Sequence, residues 1–216
     1  MSVVLFDKDG VLIDSEEVAL ARHREFMTYK GLPWEENKLL TMIGGNLKNN
    51  IRLYKEWWGD DFDVNSYNEE KKKYFKGLSY DYEEILMPHV RELLSKLNEF
   101  NDRMSVVSSA SKKEIQEMVD TLHLNKFFDY LITGNDFSKS KPDPAIYLYA
   151  RQLYSNYPTE DIFVVEDSTV GIEAGKRAGL KVIALKDHRY GMNQEKADYL
   201  IEDLMEIIDI VHLNKA

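Results

Sequence analysis

The chain has 216 residues, 44 % of them hydrophobic and 31 % charged, a balance typical of an ordinary globular protein. Its formal net charge is −10, and its only tight basic run is Lys71–Lys73. Because two glutamates precede that run, we interpret it as a solvated helix face. These features exclude nucleic acid as a main partner. The lack of cysteine excludes disulfides and thiolate chemistry, and the lack of a signal peptide or of about 18 consecutive apolar residues favours a cytoplasmic protein with no membrane partner.

Short β-rich runs alternate with helical patterns over most of the chain. The predicted strands are Val3–Phe6, Met104–Val107, Tyr130–Thr133, Ile162–Val165, Lys181–Leu185 and Tyr199–Ile201. Helical patterns between them cover residues 89–100, 112–123, 144–155, 170–178 and 203–212. This alternation predicts an α/β fold, with a Rossmann-like parallel sheet flanked by helices on both faces.

The segment from residue 15 to residue 83 departs from this alternation. It contains no convincing strand, and its helical patterns cover residues 16–30, 35–42, 46–58 and 66–78. We therefore expect an all-helical cap domain over residues 15–83, inserted into a Rossmann-like catalytic core formed by residues 1–14 and 84–216.

Polar side chains follow four of the predicted strands, three of them directly and one, Lys141, later in the loop after Tyr130–Thr133. They are Asp7 and Asp9, Ser108–Ser111, Lys141, and Glu166 with Asp167. The carboxyl ends of parallel strands meet at one edge of a sheet, so we expect these groups to converge there. Clustered carboxylates suit Mg²⁺, while a lysine and a hydroxyl beside it would hold phosphoryl oxygens. One carboxylate could then attack phosphorus, and a second could transfer protons to and from the leaving oxygen and water.

Each of these elements also has a purely structural interpretation. Asp pairs are common in turns, Ser111 with Glu114 has the spacing of a helix capping box, and Ser168 could cap the helix that follows it. A capping role for Ser111 leaves Ser109 available for a ligand. The occurrence of all four elements in order, each after a predicted strand, favours a site over separate turns and caps.

Four motifs in the chain resemble those of the haloacid dehalogenase-like hydrolase superfamily, in the branch with a helical cap that includes β-phosphoglucomutase and sugar-phosphate phosphatases. The motifs are FDKDGVLIDS, SSAS, SKPDP and VVEDSTVGIEAGKRAGL. In the fourth motif, Gly171, Gly175 and Gly179 recur every four residues, which places them on one helix face where a close neighbour would require glycine.

The resemblance implies a role for each matching residue of the core. Asp7 would be the nucleophile and a metal ligand, and Asp9 would be the general acid and base, with its backbone carbonyl also on the metal. Ser109, Ala110 and Lys141 would bind the transferring phosphoryl group. Asp167 together with Glu166 would complete an Mg²⁺ site, and Mg²⁺ is the implied cofactor.

Other residues near these motifs also receive expected roles. Asp14 lies where the chain leaves for the cap, so we expect it to act as a hinge. Strand alternation directs Lys8 away from Asp7, which predicts a surface or cap-facing residue. In the cap, Gly44, Gly45 and Asn46 resemble the family's substrate loop, although a helix break with Asn46 as N-cap explains them equally well.

An acid at Asp9 favours phosphate-ester chemistry over dehalogenation, because a halide leaving group needs no proton. The β-phosphoglucomutase pattern has a cap histidine and a cap arginine where this chain has Ala19 and Leu47. We therefore expect an Mg²⁺-dependent phosphatase that hydrolyses a small phosphorylated metabolite, such as a sugar or polyol phosphate, as a monomer or weak homodimer. A phosphomutase is the alternative, and a regulatory phosphoacceptor domain is the alternative from a different functional class.

Overall fold

The computed structural model describes residues 1–43 and 47–213. Six parallel strands form one sheet in the order β3-β2-β1-β4-β5-β6. The strands are β1 (Val3–Phe6), β2 (Arg103–Ser108), β3 (Tyr130–Thr133), β4 (Ile162–Glu166), β5 (Lys181–Leu185) and β6 (Tyr199–Ile201). The predicted parallel α/β sheet is therefore confirmed, with β2 and β4 extending to Ser108 and Glu166.

The chain divides into two compact units, one formed by Met1–Asp14 with Tyr82–Ala216 and the other by Ser15–Asp81. The second unit carries helices α1 (Glu16–Tyr29), α2 (Glu36–Leu40), α3 (Leu47–Trp58) and α4 (Val64–Tyr74). The first carries the sheet and helices α5 (Val90–Glu99), α6 (Lys112–Thr121), α7 (Ala145–Leu153), α8 (Thr169–Arg177) and α9 (Glu206–Leu213). None of the helices in the described ranges is both long enough and apolar enough to cross a bilayer.

Strand β1 lies in the middle of the sheet and is buried along its whole length. A parallel strand covered by helices on both faces is apolar at every position rather than at alternate ones, which explains the run Val3–Phe6. Phe6 pairs with Val106 of β2 on one side and with Val165 of β4 on the other. The sequence order of the strands reverses on either side of β1, and such a switch point is where α/β sheets bind ligands.

The helical unit is held together by an aromatic cluster. The ring of Trp58 stacks on that of Tyr54, with centroids 5.2 Å apart and planes at 9°, and lies 4.6 Å from the ring of Phe62. Tyr54 is almost completely buried. These rings therefore pack the unit's own interior. The predicted substrate loop Gly44, Gly45 and Asn46 lies outside the described residues.

The basic run of α4 is not uniformly solvated, so the prediction was wrong for one of its residues. Lys72 and Lys73 are exposed, but the ammonium of Lys71 lies 3.0 Å from both ring nitrogens of His23. Burial, together with the nearby Arg22, lowers the pKa of Lys71 to about 7. Burial and Lys71 lower the pKa of His23 to about 3. The interior of this unit thus disfavours the charged form of both side chains.

The three glycines of the fourth motif have different structural reasons. A Cβ on Gly171 would lie 1.9 Å from Glu166 Oε1, and one on Gly175 would lie 2.8 Å from Val182 Cγ2. Gly179, in contrast, follows the end of α8 with φ +74° and has no atom within 4 Å of a built Cβ. The prediction that a close neighbour of the helix requires glycine holds for Gly171 and Gly175. It is wrong for Gly179, which follows the last turn of the helix in a left-handed conformation.

Candidate active site

Asp7 emerges from the end of β1 directly into the interior. Its backbone N–H continues the sheet by donating to Val165 O at 2.9 Å, and its side chain is almost fully buried. The chain then turns at Gly10, which has φ +78° and could carry no side chain, because a Cβ there would lie 2.1 Å from Asp167 Oδ2. The glycine therefore allows the first loop to approach the carboxylate that follows β4.

The ammonium of Lys141 connects the two strand ends. It donates to Asp7 Oδ1 at 2.6 Å and to Glu166 Oε1 at 2.7 Å, and the side chain is 5 % exposed. Two neutral oxygens are also within hydrogen-bond distance of Nζ, Val107 O at 3.2 Å and the Tyr147 hydroxyl at 3.1 Å. The structure thus brings Asp7, Glu166 and Lys141 together at the carboxyl edge of the sheet.

Both carboxylate oxygens of Glu166 accept hydrogen bonds. Oε1 accepts from Lys141 and, at 2.8 Å, from the Tyr147 hydroxyl. Oε2 accepts from Ser168 Oγ at 3.0 Å, with longer bonds from the backbone N–H groups of Asp167 and Ser168 at 3.3 and 3.4 Å. Ser168 Oγ also accepts from Gly171 N at 3.1 Å, so Ser168 is an N-cap of α8, and this capping interpretation is confirmed.

The pKa values of three side chains in this cluster, Asp7, Lys141 and Tyr147, are shifted far from their usual values. Burial raises the pKa of Asp7 to about 7, an effect that Lys141 opposes and that the charges of Glu166 and Asp9 reinforce. Burial alone would lower the pKa of Lys141, but Asp7 and Glu166 outweigh it and raise that pKa well above its usual value. Burial and the neighbouring Glu166 raise the pKa of Tyr147 well above 10, so its phenol keeps its proton.

The carboxylates form a group that suits a metal ion. Asp7, Glu166 and Asp167 each offer one oxygen, these oxygens all lie within 4.8 Å of one another, and all three side chains are buried. Lys141 pairs with two of these carboxylates, Asp7 and Glu166. A hard divalent cation such as Mg²⁺ prefers such oxygen donors, so the residues present fit the implied metal.

Asp9 is partly exposed and is paired with its neighbour. Lys8 Nζ lies 2.7 Å from Asp9 Oδ1, and Lys8 itself is only 3 % exposed. Of the two positions expected for Lys8, on the surface or facing the cap, the surface one is therefore wrong, and its ammonium pairs with Asp9. This ion pair fixes the direction of the Asp9 carboxylate.

In the loop after β2, some residues make structural hydrogen bonds and Ser109 is exposed. Ser111 and Glu114 form a reciprocal capping box at the start of α6, so the predicted cap is confirmed. Ala110 donates its N–H to Ser108 Oγ at 3.0 Å, and its carbonyl accepts from Thr133 Oγ1 at 2.6 Å. These bonds fix the loop beside Ser109, whose side chain is exposed at the end of β2.

Asp14 is the last residue of the sheet-containing unit before the helical one. Its backbone N–H donates to Ile85 O at 2.7 Å. Its carboxylate lies in the fork of the Arg189 guanidinium, with Nη1–Oδ2 at 2.7 Å and Nη2–Oδ1 at 3.0 Å. Arg189 also pairs with Asp187. The hinge role of Asp14 stays a prediction, and the structure adds a bidentate partner for it.

Two residues of the site were missed from the sequence. Tyr147 lies on the buried face of α7 with Ile146 and Ala150, where helical periodicity predicts packing and gives no signal for a hydroxyl that bonds charged groups. Gln194 lies between β5 and β6 in a stretch without hydrophobic periodicity, and its Nε2 donates to Asp167 O at 2.6 Å. The contacts of both become visible only in three dimensions.

The fold and the charged strand ends together define a hydrolase of the phosphoryl-transfer type, and comparisons with known proteins support this class. Residues 4–185 match the haloacid dehalogenase-like hydrolase family. A phosphorylated carbohydrates phosphatase from Thermotoga maritima is 30 % identical over 187 residues, which cover 85 % of this chain and 84 % of that protein. A phosphoglycolate phosphatase from Aquifex aeolicus is 30 % identical over 216 residues, or 97 % of each chain.

Among solved structures, that of β-phosphoglucomutase from Clostridium difficile has a TM-score of 0.77 with 19 % identity, covering 99 % of this chain and 98 % of that one. At this identity the similarity establishes the fold alone. The chain belongs to the haloacid dehalogenase-like hydrolase family, as its four motifs indicated. It is an enzyme of the phosphoric monoester hydrolase class.

Proposed function

We propose that this enzyme is an Mg²⁺-dependent phosphatase that acts on a small phosphorylated sugar or polyol through an aspartyl-phosphate on Asp7. The observation that carries the proposal is the bridge made by Lys141, which joins Asp7 Oδ1 at 2.6 Å to Glu166 Oε1 at 2.7 Å inside the carboxylate group. A nucleophilic carboxylate at a phosphoryl site needs cations around it, since it must approach a phosphate that is itself negative.

In the first step, a carboxylate oxygen of Asp7 forms a bond to phosphorus while the bond from phosphorus to the ester oxygen breaks. Asp9 donates its proton to that oxygen, which leaves as an alcohol. In the second step, water attacks the phosphorus of the aspartyl-phosphate, the bond from phosphorus to the Asp7 oxygen breaks, and Asp9 takes a proton from the water. Inorganic phosphate leaves, and both carboxyl groups return to their starting states.

Lys141 and Ser109 would hold the phosphoryl oxygens during both steps, with the backbone at Ala110 fixing the loop. Asp7 and Asp167 would hold Mg²⁺, with Glu166 contributing its charge and the carbonyl of Asp9 completing the site. When bound, the ion supplies positive charge that offsets the repulsion between the carboxylates and the phosphoryl group. The close grouping of three buried carboxylates, Asp7, Glu166 and Asp167, supports this assignment.

The substrate class rests on the relatives and on the composition of the helical unit. One relative at 30 % identity is a phosphatase of phosphorylated carbohydrates, and another is a phosphoglycolate phosphatase. The first of these relatives leads us to favour a sugar or polyol phosphate as substrate. We favour hydrolysis to free phosphate over mutase transfer because the cap positions Ala19 and Leu47 lack the histidine and arginine of the mutase pattern.

The test is phosphate release from a panel of hexose and pentose phosphates, polyol phosphates, phosphoglycolate and pyrophosphate, with Mg²⁺ present or chelated. We expect the highest kcat/KM with a sugar or polyol phosphate, no turnover with Asp7→Asn, and recovery of activity when Mg²⁺ is restored. Activity that survives chelation would contradict the metal assignment. Conversion of a hexose 1-phosphate to its 6-phosphate, without release of phosphate, would identify a mutase instead.

A further inference from the structure

The hydroxyl of Tyr147 lies in the centre of the site although no motif residue contributes it. It accepts a hydrogen bond from Lys141 Nζ at 3.1 Å and donates one to Glu166 Oε1 at 2.8 Å. With the 2.7 Å bond from Lys141 to the same Glu166 oxygen, the three groups form a closed triangle. Tyr147 is completely buried, so solvent cannot replace its hydroxyl in these bonds.

The ammonium of Lys141 has more acceptors than hydrogens. It carries three N–H bonds, while its acceptors are Asp7 Oδ1, Glu166 Oε1, the Tyr147 hydroxyl and Val107 O. Every N–H is therefore engaged before a phosphoryl ligand arrives. Lys141 can bind a phosphoryl oxygen only if one of these acceptors loses its hydrogen bond.

Glu166 is the charged acceptor that can best release Lys141. Its Oε1 accepts from both Lys141 and Tyr147, and its Oε2 is held separately by Ser168 Oγ. If Lys141 turns one N–H toward a ligand, the Tyr147 hydroxyl still donates to Oε1. Without that hydroxyl, Oε1 would lose its remaining donor, and a buried carboxylate oxygen without a donor is strongly disfavoured.

We propose that Tyr147 is a positioning residue that keeps Glu166 hydrogen-bonded while Lys141 redirects one N–H to the transferring phosphoryl group. This inference rests on the proposed phosphatase function, since it assigns Lys141 to the phosphoryl oxygens. In the absence of the hydroxyl, Lys141 remains committed to Glu166. Binding of a phosphoryl group is then weakened even though every motif residue is still present.

Tyr147→Phe tests the proposal, with Tyr154→Phe as the matched control. Tyr154 is also buried at the end of α7, and its hydroxyl bonds Ser105 Oγ at 2.6 Å and Asp129 Oδ2 at 2.9 Å. Affinity for inorganic phosphate is measured by calorimetry in saturating Mg²⁺, together with KM, kcat and thermal midpoint. We expect Tyr147→Phe to weaken phosphate binding by about 10- to 100-fold, the range typical of residues that orient a site, and to raise KM. Tyr154→Phe should lower the midpoint and leave phosphate affinity unchanged.

Wild-type phosphate affinity in folded Tyr147→Phe would overturn the inference, and so would an equal loss in Tyr154→Phe. A second comparison uses Glu166→Gln, in which the uncharged amide oxygen competes far less strongly for the ammonium. In that background, adding Tyr147→Phe should change phosphate affinity by less than about 2-fold, and an undiminished effect would contradict the proposed role. If the wild type neither binds phosphate nor releases it from any ester, the proposed function itself has failed.

Discussion

The side-chain amide of Gln194 donates from Nε2 to the backbone carbonyl of Asp167 at 2.6 Å. The same nitrogen donates to Leu185 O at 2.8 Å, so one side chain joins the chain after β4 to the end of β5. Asp167 belongs to the carboxylate group that fits a metal ion, and Gln194 fixes its backbone from outside that group. Residues that orient a metal ligand in this way are often nearly as important as the ligand itself.

Gln194→Leu should therefore weaken Mg²⁺ binding without removing any proposed ligand. We expect the Mg²⁺ concentration for half-maximal activity to rise by about 10-fold or more, with a smaller change in kcat at saturating Mg²⁺. Direct Mg²⁺ titration by calorimetry checks the affinity independently of turnover. Gln152→Leu, at an exposed position on α7, is the control and should leave the affinity unchanged. Equal Mg²⁺ affinity in wild type and Gln194→Leu would show that the amide does not orient the site.

Asp9→Ala should slow hydrolysis most for substrates whose leaving oxygen must be protonated as its bond to phosphorus breaks. For a sugar phosphate, whose alkoxide is a poor leaving group, we expect a loss of about 10²–10⁴ in kcat, the range for general acid–base catalysis. For an aryl phosphate with an acidic phenol, the first step should be far less affected, and a burst of phenol should precede slow release of phosphate. Steady-state and rapid-quench assays on both substrates check this.

The same change tests whether Asp9 acts mainly through the metal. Its carboxylate pairs with Lys8, and the group of carboxylates that fits a metal ion consists of Asp7, Glu166 and Asp167. We therefore expect Mg²⁺ affinity in Asp9→Ala to fall much less than kcat does. Equal losses for the alkyl and aryl substrates, accompanied by an equal loss of Mg²⁺ affinity, would argue against a proton-transfer role.

The sheet and its strand ends could be predicted because they depend on local patterns. An apolar run such as Val3–Phe6 needs no knowledge of its neighbours to indicate a strand buried on both faces, and parallel strands necessarily bring their carboxyl ends to one edge. That rule predicts the same edge for Asp7 and for the loop that carries Lys141, 134 residues apart in sequence, but not the 2.6 Å contact between them. Capping at Ser111 was equally local, since it requires only a glutamate three residues later.

Other features could not be predicted because they depend on which side chain fills a particular space. Lys8 and Lys71 both occur in sequence contexts typical of exposed lysines, yet their ammonium groups reach Asp9 and His23. The hydroxyl of Tyr147 and the amide of Gln194 are directed by the packing of α7 and of the chain between β5 and β6. Periodicity reports the buried face of an element but not the polar atom that one residue carries into it.

Lys71 provides a pH-dependent prediction within the helical unit. Its pKa is about 7 in the folded chain against 10.5 for an ordinary lysine, so the folded state binds fewer protons than the unfolded state between these values. The free energy of unfolding must then rise as the pH increases from about 7 to 10.5. Below pH 7 the folded chain bears the full cost of keeping Lys71 charged. Lys71→Met should stabilise the protein most at or below pH 7, by at most about 5 kcal/mol, with the gain disappearing above about pH 10.5.

Chemical denaturation of wild type and Lys71→Met at several pH values measures this gain. Lys72→Met is the matched control, since Lys72 is the exposed neighbour on the same helix and should give a nearly pH-independent difference. A gain for Lys71→Met that stays constant from pH 6 to pH 10 would show that the buried ammonium is not the source of the instability.

Gly171→Ala and Gly179→Ala separate two reasons for glycine in one motif. A Cβ at Gly171 would lie 1.9 Å from Glu166 Oε1, so the carboxylate that Lys141 holds would have to move. A Cβ at Gly179 would meet no atom within 4 Å, and its only cost is the left-handed backbone at φ +74°, about 1–2 kcal/mol. We expect Gly171→Ala to lose activity and phosphate affinity out of proportion to its thermal midpoint, whereas Gly179→Ala should lower the midpoint by a few degrees and keep wild-type kcat/KM. If both variants lose activity only in proportion to stability, displacement of Glu166 is not what makes Gly171 necessary.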